Sequence, residues 1–82
     1  MNEFHLKIAT PEKKLFDGDV VYCEITTTEG KMGIKARHEP FLAVLKDSSP
    51  ILYRTKTGLE NSIEVYNAIL TFKDNSCVLT MA

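Results

Sequence analysis

No apolar run in this 82-residue chain is longer than the five residues Phe41–Leu45. A membrane-crossing helix needs about 20, so no such helix is expected. The residues up to Leu15 mix charges with apolar side chains and hold no signal-peptide core, so a soluble, cytosolic chain is expected. An excess of one charge is also missing: 10 basic residues stand against 11 acidic, for a net charge of −1. Without a basic stripe the chain lacks the electrostatic footprint of a nucleic-acid binder. Cysteine is scarce, and Cys23 and Cys77 lie far apart with no C-x-x-C pair. Two reduced, buried thiols are therefore expected rather than a disulfide.

The signatures of catalysis are missing too. Gly30-Lys31 is not a phosphate loop. That motif needs a second Gly where Ile25 stands and a Ser or Thr where Met32 stands. No serine elbow, no H-E-x-x-H and no G-x-G-x-x-G occurs. His5 has no Cys or carboxylate at ligand spacing, so no metal site is expected. His38 lies beside Glu39, but neighbouring residues point apart, so an exposed turn histidine is expected rather than an acid–base pair. The acidic residues are scattered and read as a solvated face. No catalytic residue, cofactor or metal is therefore assigned.

What the chain has is period-two alternation. Phe4, Leu6 and Ile8 alternate with His5 and Lys7. Val21, Cys23 and Ile25 alternate with Val20, Tyr22, Glu24 and Thr26. Ile63 and Val65 alternate with Ser62 and Glu64, and Cys77, Leu79 and Met81 with Ser76, Val78 and Thr80. Each pattern marks a strand with one buried face. Turn residues punctuate at Asp17-Gly18, Glu29-Gly30, Asp47-Ser48-Ser49-Pro50, Thr57-Gly58 and Asp74-Asn75. No segment has the pattern of a helix of ten or more residues. One domain over 1–82 is expected: a small, all-β, antiparallel two-sheet sandwich of about 8–10 short strands, since each apolar face needs a partner layer. A chain this short buries roughly 60–65% of its unfolded surface.

Phe41–Leu45 departs from the pattern because it is apolar on both faces. With Phe41, Ala43 and Leu45 inward, Leu42 and Val44 point outward. Such a strand is covered either by the chain's own loops or by a partner.

Three blocks carry a family resemblance. Thr10-Pro11-Glu12-Lys13-Lys14-Leu15-Phe16-Asp17-Gly18 comes first. Thr28-Glu29-Gly30-Lys31-Met32-Gly33-Ile34 follows, and then His38-Glu39-Pro40. In these, Gly30 and Gly33 read as a tight turn feeding a strand from about Met32, and Pro40 as its stop. In order and spacing the blocks resemble the amino-terminal β-sandwich domain of the epsilon subunit of F-type ATP synthases, over Phe4 to Met81. The resemblance implies a non-catalytic central-stalk subunit. One surface would meet the gamma subunit and one loop the ring of c subunits, peripheral to the cytoplasmic face of a bacterial inner membrane. By position it implies a gamma contact at Thr10, His38 and Ala43, joined by Leu42 and Val44 of the doubly apolar strand, and a ring-facing loop at Glu29, Gly30 and Lys31. The family's carboxy-terminal helical hairpin has no counterpart before Ala82, so no ATP binding is expected. Three positions depart from the family: Ala36-Arg37 stands for Pro-Gly, Asn67-Ala68 for Gly-Gly, and Lys31 for a common acid. Asn67 is the non-Gly residue best able to keep a positive φ. A free-standing β-sandwich binding module of the same fold is the alternative.

Overall fold

The computed structural model describes residues 2–82. Among them every regular element is a strand: β1 (Phe4–Ala9), β2 (Lys14–Val20), β3 (Tyr22–Thr27), β4 (Gly30–Ile34), β5 (Phe41–Val44), β6 (Ser49–Arg54), β7 (Glu60–Val65), β8 (Ala68–Lys73) and β9 (Ser76–Met81). They form a five-stranded sheet in the order β2-β1-β9-β8-β5 and a four-stranded sheet in the order β4-β3-β6-β7. The all-β sandwich expected from the alternation is what forms, with one correction. β1 pairs β9 in parallel, Leu6 beside Cys77 and Ile8 beside Leu79, so the larger sheet is mixed. Nothing local in either strand records that pairing, because the two come from opposite ends of the chain.

The core lies where the alternation puts it. Phe4, Leu6, Ile8, Leu70, Phe72, Cys77 and Leu79 from one sheet meet Cys23, Ile25, Ile34, Ile51 and Val65 from the other, all buried. Phe4 and Phe72 pack edge to face at 5.6 Å between centroids, a favoured aromatic geometry. One face was misassigned: Val20, not Val21, is buried. The chain steps out of the ladder at Val21, between β2 and β3, and the alternation changes phase there.

Two turn expectations are also corrected. Asp17-Gly18 lies inside β2, paired with Lys7 and Leu6. A side chain at Gly18 would meet the Phe16 ring at 3.2 Å, so packing explains this glycine. Gly33 likewise lies inside β4, opposite Glu24. A Cβ there would stand 2.8 Å from the Tyr22 hydroxyl, so Gly33 makes room for the Tyr22 ring. The turn glycine is Gly30, at φ 120°.

Asp74 and Asn75 have φ of 53° and 60°, the backbone of a two-residue type I′ hairpin, and they join β8 to β9. Asn75 then ties three segments together. Its amide donates to the Glu3 carbonyl at 2.9 Å, and its side-chain oxygen accepts the Arg37 N–H at 2.7 Å. Arg37 and Asn67 have φ of 65° and 49°. Both hold the left-handed backbone that favours glycine.

Candidate functional site

β5 is the last strand of its sheet and pairs only with β8, Leu42 beside Thr71 and Val44 beside Ile69. Phe41 and Ala43 turn inward and are half-buried, while Leu42 and Val44 are 65% and 63% exposed. Neither loop nor strand among the described residues covers them. Ile69, at 44% exposed, extends the patch to β8. The alternation placed Leu42 and Val44 correctly but missed Ile69, whose signal is the unbroken apolar run Ala68-Ile69-Leu70. Leu45 lies just past the strand, buried, in a single bridge to Thr27.

His38 leads into this strand. Its ring packs edge-on to Phe41 at 4.7 Å and to Phe72 at 5.9 Å. It is half-buried, which corrects the expectation of an exposed turn residue. Nδ1 lies 2.8 Å from the Glu39 carbonyl. A carbonyl only accepts, so the proton sits on Nδ1. His38 thus anchors the start of β5.

The β3–β4 hairpin turns on Thr28-Glu29. The Thr27 hydroxyl donates to the Gly30 carbonyl at 3.2 Å and accepts the Glu29 N–H at 3.1 Å. Glu29, Gly30 and Lys31 are all exposed. Lys31 is not at the tip: it is the second residue of β4, paired with Thr26. A groove of about 430 Å³ runs between this hairpin and β5, lined by Thr27, Thr28, Glu29, Met32 and Phe41–Val44. The hairpin and the apolar strand therefore border one surface.

Thr10 does not join them. It closes the β1–β2 connection, with its N–H and hydroxyl both bonded to the Lys13 carbonyl, at 2.8 and 3.3 Å. β1 stands three strands from β5 in the sheet order, about 14 Å at the usual inter-strand spacing. The structure brings together His38, Leu42, Ala43 and Val44 and leaves Thr10 apart.

Sequence reasoning also missed a charged cluster on β1 and β2. His5 Nε2 lies 2.5 Å from Asp17 Oδ1, and Nδ1 lies 3.3 Å from Asp19 Oδ1. Lys14 Nζ reaches Asp17 Oδ2 at 3.0 Å. The hydrogen bond from the Lys14 ammonium is the largest influence on the Asp17 carboxyl and, together with the His5 ring, holds it below its usual range against the opposing effect of burial. Asp17 and Asp19 are both within reach only because β2 folds back on β1, a pairing that spacing along the chain does not show. Inside the sandwich Cys23 of β3 and Cys77 of β9 are free and buried, as expected. The neighbouring Cys77 thiol and burial push the Cys23 thiol far up. That neighbour and burial keep the Cys23 thiol protonated near neutral pH.

Comparison with known proteins gives this surface its context. The family model described as ATP synthase, Delta/Epsilon chain, beta-sandwich domain matches residues 3–81. The chain belongs to this family. An ATP synthase epsilon chain of Clostridium novyi is 37% identical over 76 residues, which are 93% of this chain and 57% of that protein. One from Streptomyces avermitilis is 29% identical over 77 residues, 94% of this chain and 61% of that protein. The chain thus spans about three-fifths of these relatives' length. The fold also matches a chain of the Euglena gracilis mitochondrial ATP synthase (TM-score 0.88, 17% identity, covering 96% of this chain and 50% of that one). A chain from the Tetrahymena thermophila mitochondrial ATP synthase, solved as central stalk and c-ring, matches with a TM-score of 0.77 at 18% identity, covering 94% of this chain and 61% of that one.

Proposed function

We propose that this chain is a non-catalytic rotor component of an F-type ATP synthase. It docks the outward face of β5 on the gamma subunit and rests the Thr28–Lys31 hairpin on the ring of c subunits. It thereby links ring rotation, driven by protons or sodium, to the central stalk. Its place is peripheral, at the cytoplasmic face of a bacterial inner membrane. No nucleotide takes part within this domain. The observation that carries the reading is the pair Leu42 and Val44, apolar and more than half exposed on a strand whose inner face is fixed by the core. An apolar patch left bare on a small domain marks an interaction surface, and family membership supplies the assembly. The groove shared by β5 and the hairpin supports two neighbouring contacts.

Hydroxyl-radical footprinting with isolated gamma subunit tests it. Leu42 and Val44 should lose oxidation when gamma is added. Leu59, 63% exposed in the β6–β7 connection, should not. Unchanged labelling at Leu42 and Val44 would reject the docking face. The ring contact is tested by Lys31→Glu, which should weaken assembly with the c-ring more at low salt than at high salt, because screening removes exposed charge effects. Equal assembly at both would leave Lys31 without a part in it.

A further inference from the structure

β3 has β4 on one side from Cys23 to Thr27. On its other side β6 pairs only with Tyr22, Cys23 and Glu24. Carried on, that register sets Pro50 opposite Thr26. Pro50 has no N–H to give, so the Thr26 carbonyl is open to another donor. The segment leaving β5 supplies it. Leu45 bridges Thr27, and the Lys46 N–H donates to the Thr26 carbonyl at 2.9 Å. One residue earlier the Leu45 N–H donates to the Ala68 carbonyl of β8 at 3.0 Å. Two consecutive N–H groups thus bond to different sheets, β8 in the larger and β3 in the smaller. The chain changes sheet at Leu45–Lys46, a corner of the sandwich.

This crossover is tied from several sides. Leu45 is buried. The buried Ser49 hydroxyl donates to the Lys46 carbonyl at 2.5 Å. Asp47 Oδ1 accepts the Asn67 N–H at 2.8 Å, and the Ser48 N–H donates to the Val65 carbonyl at 3.0 Å. The β6–β7 connection is the contrast. Its bonds run within Thr55–Leu59, from the Thr55 N–H to the Leu59 carbonyl at 2.8 Å and from the Gly58 N–H to the Thr55 carbonyl at 3.0 Å. The crossover also lies between the two elements assigned above to partners. Val44 precedes Leu45, and Thr28 of the hairpin turn follows Thr27. One bridge therefore separates the outward face of β5 from the turn.

We propose that the Leu45–Lys46 crossover sets the pose of the hairpin against β5, with Lys46 a positioning residue that acts through its main-chain N–H. It rests on the two contacts proposed above and states how they are held together. Past Glu24 the hairpin would otherwise be a two-stranded ribbon, which is marginally stable and free to twist. The crossover gives that half of β3 its second neighbour. A load on the turn then passes through main-chain hydrogen bonds at Thr26 and Thr27 into Leu45 and Lys46, and along the covalent chain into β5. Side-chain packing is not the path. The Lys46 side chain is exposed, so the role belongs to its N–H.

Lys46→Pro removes that N–H, and Lys46→Ala keeps it. Amide hydrogen exchange of the isolated chain reads the hairpin. In Lys46→Pro the amides of Thr26–Lys31 should exchange about fivefold faster or more, while Cys23 and Ile34, at the far end of the same ladder, stay within about twofold. Lys46→Ala should match wild type. Binding reads the positioning. Affinity of Lys46→Pro for isolated gamma should stay within about threefold of wild type, whereas affinity for gamma assembled with the c-ring should fall by about fivefold or more. If Lys46→Pro lowers the melting temperature, Ser49→Ala, which releases the Lys46 carbonyl, should show the same split. Unchanged hairpin exchange overturns the proposal. So does an equal fall in both affinities, the mark of a merely structural residue. A wild-type chain that binds no gamma rejects the docking face and this inference with it. Wild-type binding to gamma, with ring affinity undiminished in Lys46→Pro, rejects this inference alone.

Discussion

The two outer strands of the larger sheet are finished in opposite ways. On β2 the outward positions are Asp17 and Asp19, tied to His5 and Lys14. On β5 they are Leu42 and Val44, exposed and uncharged. The same core lies behind both: Val20 ends β2 fully buried, and Phe41 and Ala43 pack on the cluster from β5. Inward residues say only that a sandwich forms. Outward residues distinguish a charged edge from one that leaves apolar side chains bare.

The largest test of that contrast sets the core beneath β5 against its surface. Phe72 is 1% exposed and packs against Phe4, Phe41 and His38. Phe72→Ala should cost about 3–5 kcal/mol, read as a fall in the urea midpoint. Leu42→Ala should stay within about 0.5 kcal/mol of wild type. Equal costs would mean that β5 is internal.

A smaller effect is expected in the loop that feeds β5. Arg37 sits at φ 65°, a conformation that costs a residue with a side chain about 1 kcal/mol or more. Arg37→Gly should therefore stabilise the fold by about 1 kcal/mol, with its N–H still bonded to Asn75. Thermal denaturation reads this directly. A loss of stability would mean that the arginine side chain carries an interaction outweighing the strain.

The smallest effect belongs to the charged edge. The folded Asp17 carboxyl is held low, first by Lys14. A group depressed in the folded state adds stability above its unfolded pKa, about 3.9. That stability is lost as pH falls through the lower folded value. In Lys14→Met the Asp17 carboxyl should titrate at higher pH, followed by NMR, and the acid limb of unfolding should move up slightly. An unmoved Asp17 titration would mean that the ion pair has no influence in solution.

Much of the fold was legible because each buried face repeats at every second residue. Phe4-Leu6-Ile8 and Cys77-Leu79-Met81 needed no knowledge of their neighbours. What failed depended on how strands pair. The parallel β1–β9 pair, the room that Gly33 leaves for Tyr22, and the His5–Asp17–Asp19 cluster all arise from strand register, which the pattern within one strand does not show. The phase change at Val20–Val21 failed for the opposite reason: one residue outside the ladder is invisible to a period of two. Of the candidate site, Leu42, Ala43 and Val44 were read correctly as a strand with an outward apolar face. Thr10 was joined to them by family position, and the sheet order separates it.

The central claim is that the outward face of β5 is an interface rather than part of the core. The affinity of isolated gamma subunit for wild type and Val44→Asp, measured beside the melting temperature of each, tests it most directly. The account predicts binding at least about tenfold weaker, with melting unchanged within about 2 °C. Unchanged affinity, or a Val44→Asp chain that no longer folds, would contradict it.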